Sequence, residues 1–150
     1  IASCLVGSEM CIRDRIMWVR DGQVTPMHRH IVKAEDIINR GGGDLVLKVH
    51  GAQADGTVCR DRPVTVACDG LPRQIGPDQH LRLKPGESVT LLPGVWHSFW
   101  AEAGDALVGE VSTVNDDMTD NVFEAPVGRF ARIDEDEAPW RLLVSDYGGF

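Results

Sequence analysis

From Ile16 onward turn-forming residues interrupt the chain at short intervals, and this punctuation limits the possible folds more than any other feature. The breaks are "DG" at 21–22, 55–56 and 69–70, "GGG" at 41–43, "PGE" at 85–87, "PG" at 93–94 and "GD" at 104–105. Glycine supplies positive φ, proline presets φ for a turn, and aspartate bonds its own backbone, so each tends to end a regular element. Between the breaks lie runs of strand length: "IMWV" (16–19), "LVLKV" (45–49), "VTVAC" (64–68), "HLRL" (80–83), "SVTLL" (88–92), "HSFWA" (97–101), "ALVGEV" (106–111) and "RLLV" (141–144). Their β-branched and aromatic residues fit strands. Only "AEDIINR" (34–40) suggests a helix, and it is short. Eight or more short strands at this spacing predict an all-β domain, a double-sheet barrel or jelly roll. A roomy barrel of that kind holds a small ligand inside.

A chain of 150 residues suffices for one domain with a core, but not for two. Its net charge of −8 argues against nucleic acid and anionic membrane as partners, because both need a basic patch. No apolar run approaches the roughly twenty residues of a membrane-spanning helix. Cys4, Cys11, Cys59 and Cys68 form no CxxC pair, so free thiols in a reducing cytoplasm are expected, with a Cys59–Cys68 hairpin disulfide as the alternative. The first fifteen residues, "IASCLVGSEMCIRDR", lack the basic start and long apolar core of a signal peptide. "SEMCIRDR" resembles translated sequencing-adaptor text. Residues 1–15 are therefore expected to be non-native or disordered, with part of a longer N-terminal region missing, and residues 16–150 to form the single domain.

Histidine is scarce, yet two of the five lie one residue apart in "TPMHRHIVKAED" (25–36). On a strand, residues i and i+2 face the same side, so His28 and His30 point together. Glu35 lies an odd number of residues beyond His30, and a bend or bulge must separate them if its carboxylate is to reach the same side. His97 opens a strand just after the Pro93–Gly94 turn. Three imidazoles and one carboxylate form a mixed N/O ligand set suited to Mn²⁺, Fe²⁺, Co²⁺, Ni²⁺ or Zn²⁺.

These residues carry a resemblance. Gly22–x5–His28–x–His30–x4–Glu35–x6–Gly42 fits the first cupin motif at every fixed position. In the second motif Gly86, Gly94 and His97 are in register, while the proline sits at 93 rather than 92 and Ala101 replaces the usual asparagine. "GQVTPMHRH", "EDIINRGGG", "PGESVTLLPGVWHSFWAE", "GEVSTVNDD" and "IDEDEAP" together resemble the D-lyxose ketol-isomerases, over essentially all of residues 16–150. The resemblance implies a cupin double-stranded β-helix and a manganese-dependent aldose–ketose isomerase. Its substrates would be D-lyxose/D-xylulose and D-mannose/D-fructose. It further implies a cytoplasmic enzyme, and by analogy with cupins a homodimer is expected. Members of the family carry a lysine just before the "IM" of the first strand, where this chain has Arg15.

Moving a carbonyl between C1 and C2 of a sugar requires a polarised carbonyl, a group that moves the carbon-bound proton, and a shuttle for the hydroxyl proton. Lys33, Glu110 and Asp116 are the candidate proton-handling groups, and a cis-enediol is the expected intermediate. Lys33 lies between two ligands but also reads as a solvated surface lysine. Glu110 sits in the apolar run "LVGEV", where a buried carboxylate needs a partner or a function, unless it faces outward. Asp116 belongs to "NDD", which reads equally as a turn. His50 and His80 read as surface or half-buried residues, and Trp96, Phe99 and Trp100 as barrel core. The alternatives are another cupin enzyme, such as an iron-dependent dioxygenase or a sugar-phosphate isomerase, or a sugar-binding cupin without catalysis.

Overall fold

The computed structural model describes residues 12–127 and residue 137. In chain order the elements are β1 (Ile12–Val19), β2 (His28–His30), β3 (Glu35–Ala52), β4 (Val58–Cys59), β5 (Val64–Cys68), β6 (Leu71–Ile75), β7 (Leu81–Leu83), β8 (Ser88–Leu91), β9 (Trp96–Thr113), α1 (Asp117–Asp120) and β10 (Asn121–Phe123). The strand expected at 141–144 lies outside the described residues. Among the described residues no helix is long and apolar enough to cross a membrane.

Among the described residues all the strand pairs are antiparallel, and two long strands organise them. The first part of β3, Glu35–Asn39, pairs with the end of β9 on one side and with β8 on the other. The last part of β3, from Asp44, pairs with the start of β9 and with β7. One face of the barrel thus runs β1–β9–β3–β8–β5–β6, and the other runs β10–β2–β9–β3–β7. This is the expected jelly-roll barrel, with β3 and β9 shared by both sheets.

The glycine breaks at 41–43 and 104–105 do not end strands, contrary to the sequence reading. They are where β3 and β9 bend together from one sheet into the other, with register shifts at Asn39/Gly41 and Gly42/Asp44. The backbones approach too closely there for side chains. A Cβ on Gly42, whose φ is +92°, would lie 2.1 Å from the Asp105 carbonyl oxygen, and one on Gly43 would lie 2.3 Å from that of Gly104. The fully buried Asn39 fixes the bend by donating from Nδ2 to the Gly43 and Leu83 carbonyls, while its Oδ1 accepts from the Gly41 amide.

"AEDIINR" is strand rather than helix. Its burial alternates with period two, so that Glu35, Ile37 and Asn39 face inward. Ile37 joins Leu45, Leu47, Leu83, Val89, Leu91, Phe99 and Val108 in the core between the sheets. Fully burying one such side chain contributes roughly 1.5–3 kcal/mol. Residues 12–15, set aside on sequence grounds, extend β1 and pair with Glu110–Thr113 of β9. His50 is buried rather than at the surface. Of the four cysteines, Cys59 and Cys68 are described, and both are free thiols.

Candidate active site

The two sheets contribute different chemistry. β2 and the start of β9 carry His28, His30 and His97, and the register places His28 directly opposite His97. The rings of His28 and His97 are 4.1 Å apart between centroids, and His30 lies 5.1 Å from His28 and 5.5 Å from His97. The Pro93–Gly94 turn seats this group, since the Gly94 amide donates to the His30 carbonyl oxygen at 2.8 Å. From the other sheet come Glu35, at the start of β3, and Glu110, near the end of β9. Residues 31–34 form the bend that the HRH–Glu35 spacing demands, so His30 and Glu35 face each other across the interior.

Among the described residues one set of side chains offers ligand atoms to a common point: those of His28, His30, Glu35 and His97 lie within 4.8 Å of one another. Hydrogen bonds settle which ring nitrogens face inward. Nδ1 of His28 lies 2.8 Å from the Pro26 carbonyl oxygen, and Nδ1 of His97 lies 3.1 Å from that of Val95. A carbonyl oxygen only accepts, so each Nδ1 carries the hydrogen and each Nε2 presents a lone pair. Nε2 of His97 and Nε2 of His30 lie 3.0 and 3.3 Å from Oε1 of Glu35. All three atoms are buried without a hydrogen bond. The lone pair of His97 Nε2, aimed at a carboxylate oxygen, repels it unless a cation sits between them, so the residues fit a metal ion, and this group can hold one.

Burial, with His97 beside it, drives His28 down to about 3, which keeps it neutral and able to ligate. Burial pushes the Glu35 carboxyl up, but with no ion present His30 and His97, when a hydrogen on the facing nitrogen bonds the carboxylate, and the Lys33 ammonium outweigh it and hold Glu35 well below the ordinary carboxylate range.

Lys33 is 2% exposed, which rules out the solvated reading. Its Nζ lies 2.7 Å from Oε2 of Glu35 and 2.9 Å from Oε1 of Glu110. That contact occupies one oxygen of Glu35 and leaves Oε1 for the ion. Glu110 faces inward and is buried, and Nη1 of Arg15 comes within 3.5 Å of its Oε1. Arg15, which stands where the resembling family has a lysine, thus reaches Glu110 from β1.

Asp116 is not brought to this group. It is exposed, and its carboxylate accepts from Thr119 Oγ1. The aspartate that does reach the group is Asp120, which the sequence reading missed. It is buried, with Oδ2 3.7 Å from Nδ1 of His30. Nothing in "MTDN" distinguishes it from a surface aspartate. Of the other residues singled out, Trp96 and Phe99 are core, whereas Trp100 is half-buried and His80, exposed, packs edge-on against its ring. Arg40 lies over Gly109 on the outer face.

Comparison with known proteins agrees with this architecture. The sequence profile of the family described as D-lyxose isomerase matches residues 3–147. The chain is 51% identical over 142 residues to a D-lyxose/D-mannose isomerase of Escherichia coli O157:H7, covering 93% of this chain and 62% of that protein. It is also 51% identical over 137 residues to the D-lyxose/D-mannose isomerase of Serratia proteamaculans, covering 89% and 59%. It thus spans about three fifths of the length of these curated relatives. Among solved structures, the L-ribose isomerase of Acinetobacter sp. DL28 in complex with L-ribose superposes with a TM-score of 0.55 at 19% identity, over 77% of this chain and 59% of that one, a likeness of fold. The profile that runs through both sheets and every ligand position makes this chain a member of the D-lyxose isomerase family.

Proposed function

We propose that the protein is a metal-dependent aldose–ketose isomerase that converts D-lyxose to D-xylulose, and D-mannose to D-fructose. The observation that carries this reading is the convergence of three buried, unpartnered acceptor atoms, Nε2 of His30, Nε2 of His97 and Oε1 of Glu35, beside a buried Lys33–Glu110 pair. His28, His30, Glu35 and His97 would hold the ion, for which Mn²⁺ is the first choice and Co²⁺, Zn²⁺, Fe²⁺ and Ni²⁺ the alternatives. A divalent ion held there supplies Lewis-acid charge stabilisation to the substrate's carbonyl and hydroxyl oxygens.

The chain's own groups handle the protons. Glu110 takes the proton from C2 of the aldose and returns it to C1, through a cis-enediol. Lys33 passes the hydroxyl proton from O2 to O1 through Nζ, which the structure holds between two carboxylates. Each proton removed from the substrate is matched by one delivered to it, from the same group or from solvent exchanged onto that group, so no redox partner is needed. Apolar residues around the site, Phe99 and Val108 among them, exclude water and strengthen these charge interactions. Asp116 has no part in this scheme. The 51% identity to two D-lyxose/D-mannose isomerases supports the choice of sugars. Free Cys59 and Cys68 fit a reducing cytoplasm, and a homodimer fits the symmetry usual for soluble enzymes.

The test is aldose–ketose interconversion by the purified protein, followed by NMR with D-lyxose in D₂O and added Mn²⁺. D-xylulose should appear, and EDTA should abolish it. Deuterium at C2 of recovered lyxose is expected from the enediol route. A folded, metal-loaded protein that converts neither D-lyxose nor D-mannose would overturn the reading.

A further inference from the structure

The three imidazoles are not anchored alike. His28 and His97 each close on a carbonyl two residues back in their own chain, those of Pro26 and Val95. His30 has no such partner, and neither of its ring nitrogens makes a hydrogen bond. Its Nδ1 instead faces the carboxylate of Asp120, 3.7 Å away, from a segment ninety positions further along the chain.

Asp120 does more than face His30. Its Oδ1 accepts from the amides of Ile31 at 2.9 Å and Val32 at 2.7 Å, and its Oδ2 accepts from the amide of Lys33 at 3.2 Å. Nδ2 of Asn115 braces the same Oδ2 at 2.8 Å. Three successive amides converging on one anion form a backbone nest, and hydrogen bonds to a charged acceptor are the strong kind. The nest spans the bend between His30 and Glu35, which the ligand spacing requires and which also carries Lys33. One buried carboxylate therefore sets the path of the chain between two ligands and stands behind the ring of the first.

We propose that Asp120 is a positioning residue for the ion site: it holds the 31–34 bend and keeps the hydrogen of His30 on Nδ1, so that Nε2 is presented inward. This rests on the reading of His28, His30, Glu35 and His97 as ligands. A carboxylate behind a ligating histidine fixes the ring tautomer and orientation and raises ligand basicity, and its loss typically weakens metal binding by about 10–100-fold. Asparagine at 120 keeps the size but has a single acceptor oxygen and no charge, so it cannot serve the nest and His30 together.

The experiment compares wild type, Asp120→Asn and His28→Ala. Two quantities are measured: Mn²⁺ affinity by calorimetry, and the ring ¹⁵N shifts of the ion-free protein, which separate the two histidine tautomers. Asp120→Asn should raise the dissociation constant by about 10–100-fold and move His30 toward the Nε2–H tautomer. His28→Ala should abolish binding. If His28→Ala abolishes binding while Asp120→Asn changes neither affinity nor tautomer, the positioning role is overturned and the ligand reading stands. A lower melting temperature with unchanged affinity and tautomer would reduce Asp120 to a turn clamp, and would also overturn the proposal. If wild type binds no ion, the ligand reading fails, and the tautomer comparison alone then decides Asp120's hold on His30. Should Asp120→Asn not fold, Asn115→Ala, which removes the brace on Oδ2, should shift both readouts the same way, and no shift in either would overturn the proposal.

Discussion

Two of the three imidazoles of the ion site each have a backbone carbonyl of their own, whereas its two carboxylates share one ammonium. His28 and His97 lean on carbonyls two residues back, just ahead of their own strands. Glu35 and Glu110, on the opposite sheet, lean on Lys33, which belongs to neither strand. A ring held by a backbone carbonyl depends on little beyond its strand. Two buried carboxylates that share one ammonium depend on each other, and losing it strands Glu35 and leaves Glu110 only the more distant Arg15. The difference teaches that the imidazole side can lose a member and stay folded, whereas the carboxylate side stands or falls as a unit.

The largest effect expected from this contrast is that of Lys33→Met. With Glu35 and Glu110 left facing each other, the ion-free protein should lose about 3–5 kcal/mol, measured by urea unfolding. A loss under about 1 kcal/mol would mean that the two carboxylates find other partners and that the two sides are alike. Next comes Glu110→Gln, which keeps shape and removes charge. Turnover should fall by about two or more orders of magnitude, with metal content intact by elemental analysis. Near-normal turnover would take Glu110 out of the chemistry and leave it a structural member of the network.

His28→Ala should change ion-free stability by only about 1 kcal/mol in urea unfolding, far less than Lys33→Met. It should nevertheless remove the bound metal and the stabilisation that metal gives, seen as a melting temperature no longer raised by Mn²⁺. A gradual effect is that of pH on the ion-free protein. His28 is held from its usual 6.5 down to about 3, so below 6.5 the unfolded chain takes up a proton that the folded chain refuses. Stability should fall as pH drops through that window, and Glu35, held below the usual 4.5, adds to the loss in the same direction below that value. His28→Ala should flatten the decline between about 6.5 and 4.5 in denaturation midpoints. An unchanged profile would show that His28 is not shielded in the ion-free state.

Much of the site is legible in the chain because its anchors are local. His28 and His30 share a face by strand parity, and the odd step to Glu35 calls for the bend that 31–34 supply. The Pro93–Gly94 turn before His97 is likewise visible as text. What could not be read involves distant partners: Asp120 meets the Lys33 amide across 87 positions, and Lys33 meets Glu110 across 77. In the fold, the all-β barrel type follows from punctuation and pattern, but the individual strands do not, since the runs at 97–101 and 106–111 are one strand, β9. "AEDIINR" reads as helix because its residues suit either state and only the pairing with β8 and β9 decides. The glycines at 41–43 and 104–105 read as stops because each cluster makes sense as a bend only when the other is placed against it.

The passage of β3 and β9 through both sheets has a consequence for how the protein folds. Their ladder joins residues some tens of positions apart, Glu35 with Ser112 at one end and His50 with Trp96 at the other. Contacts of such high contact order close slowly, because the chain loses loop entropy before they form. A slip of one residue would turn Asp36 inward in place of Glu35 and would set every core position on the wrong face. The opposed glycine clusters admit backbone contact only where Gly42 meets Asp105 and Gly43 meets Gly104, so they exclude slipped pairings during folding. Because no sheet is complete without both strands, the barrel should open as one cooperative unit, and amides of β3 in either sheet should exchange with deuterium at a common slow rate.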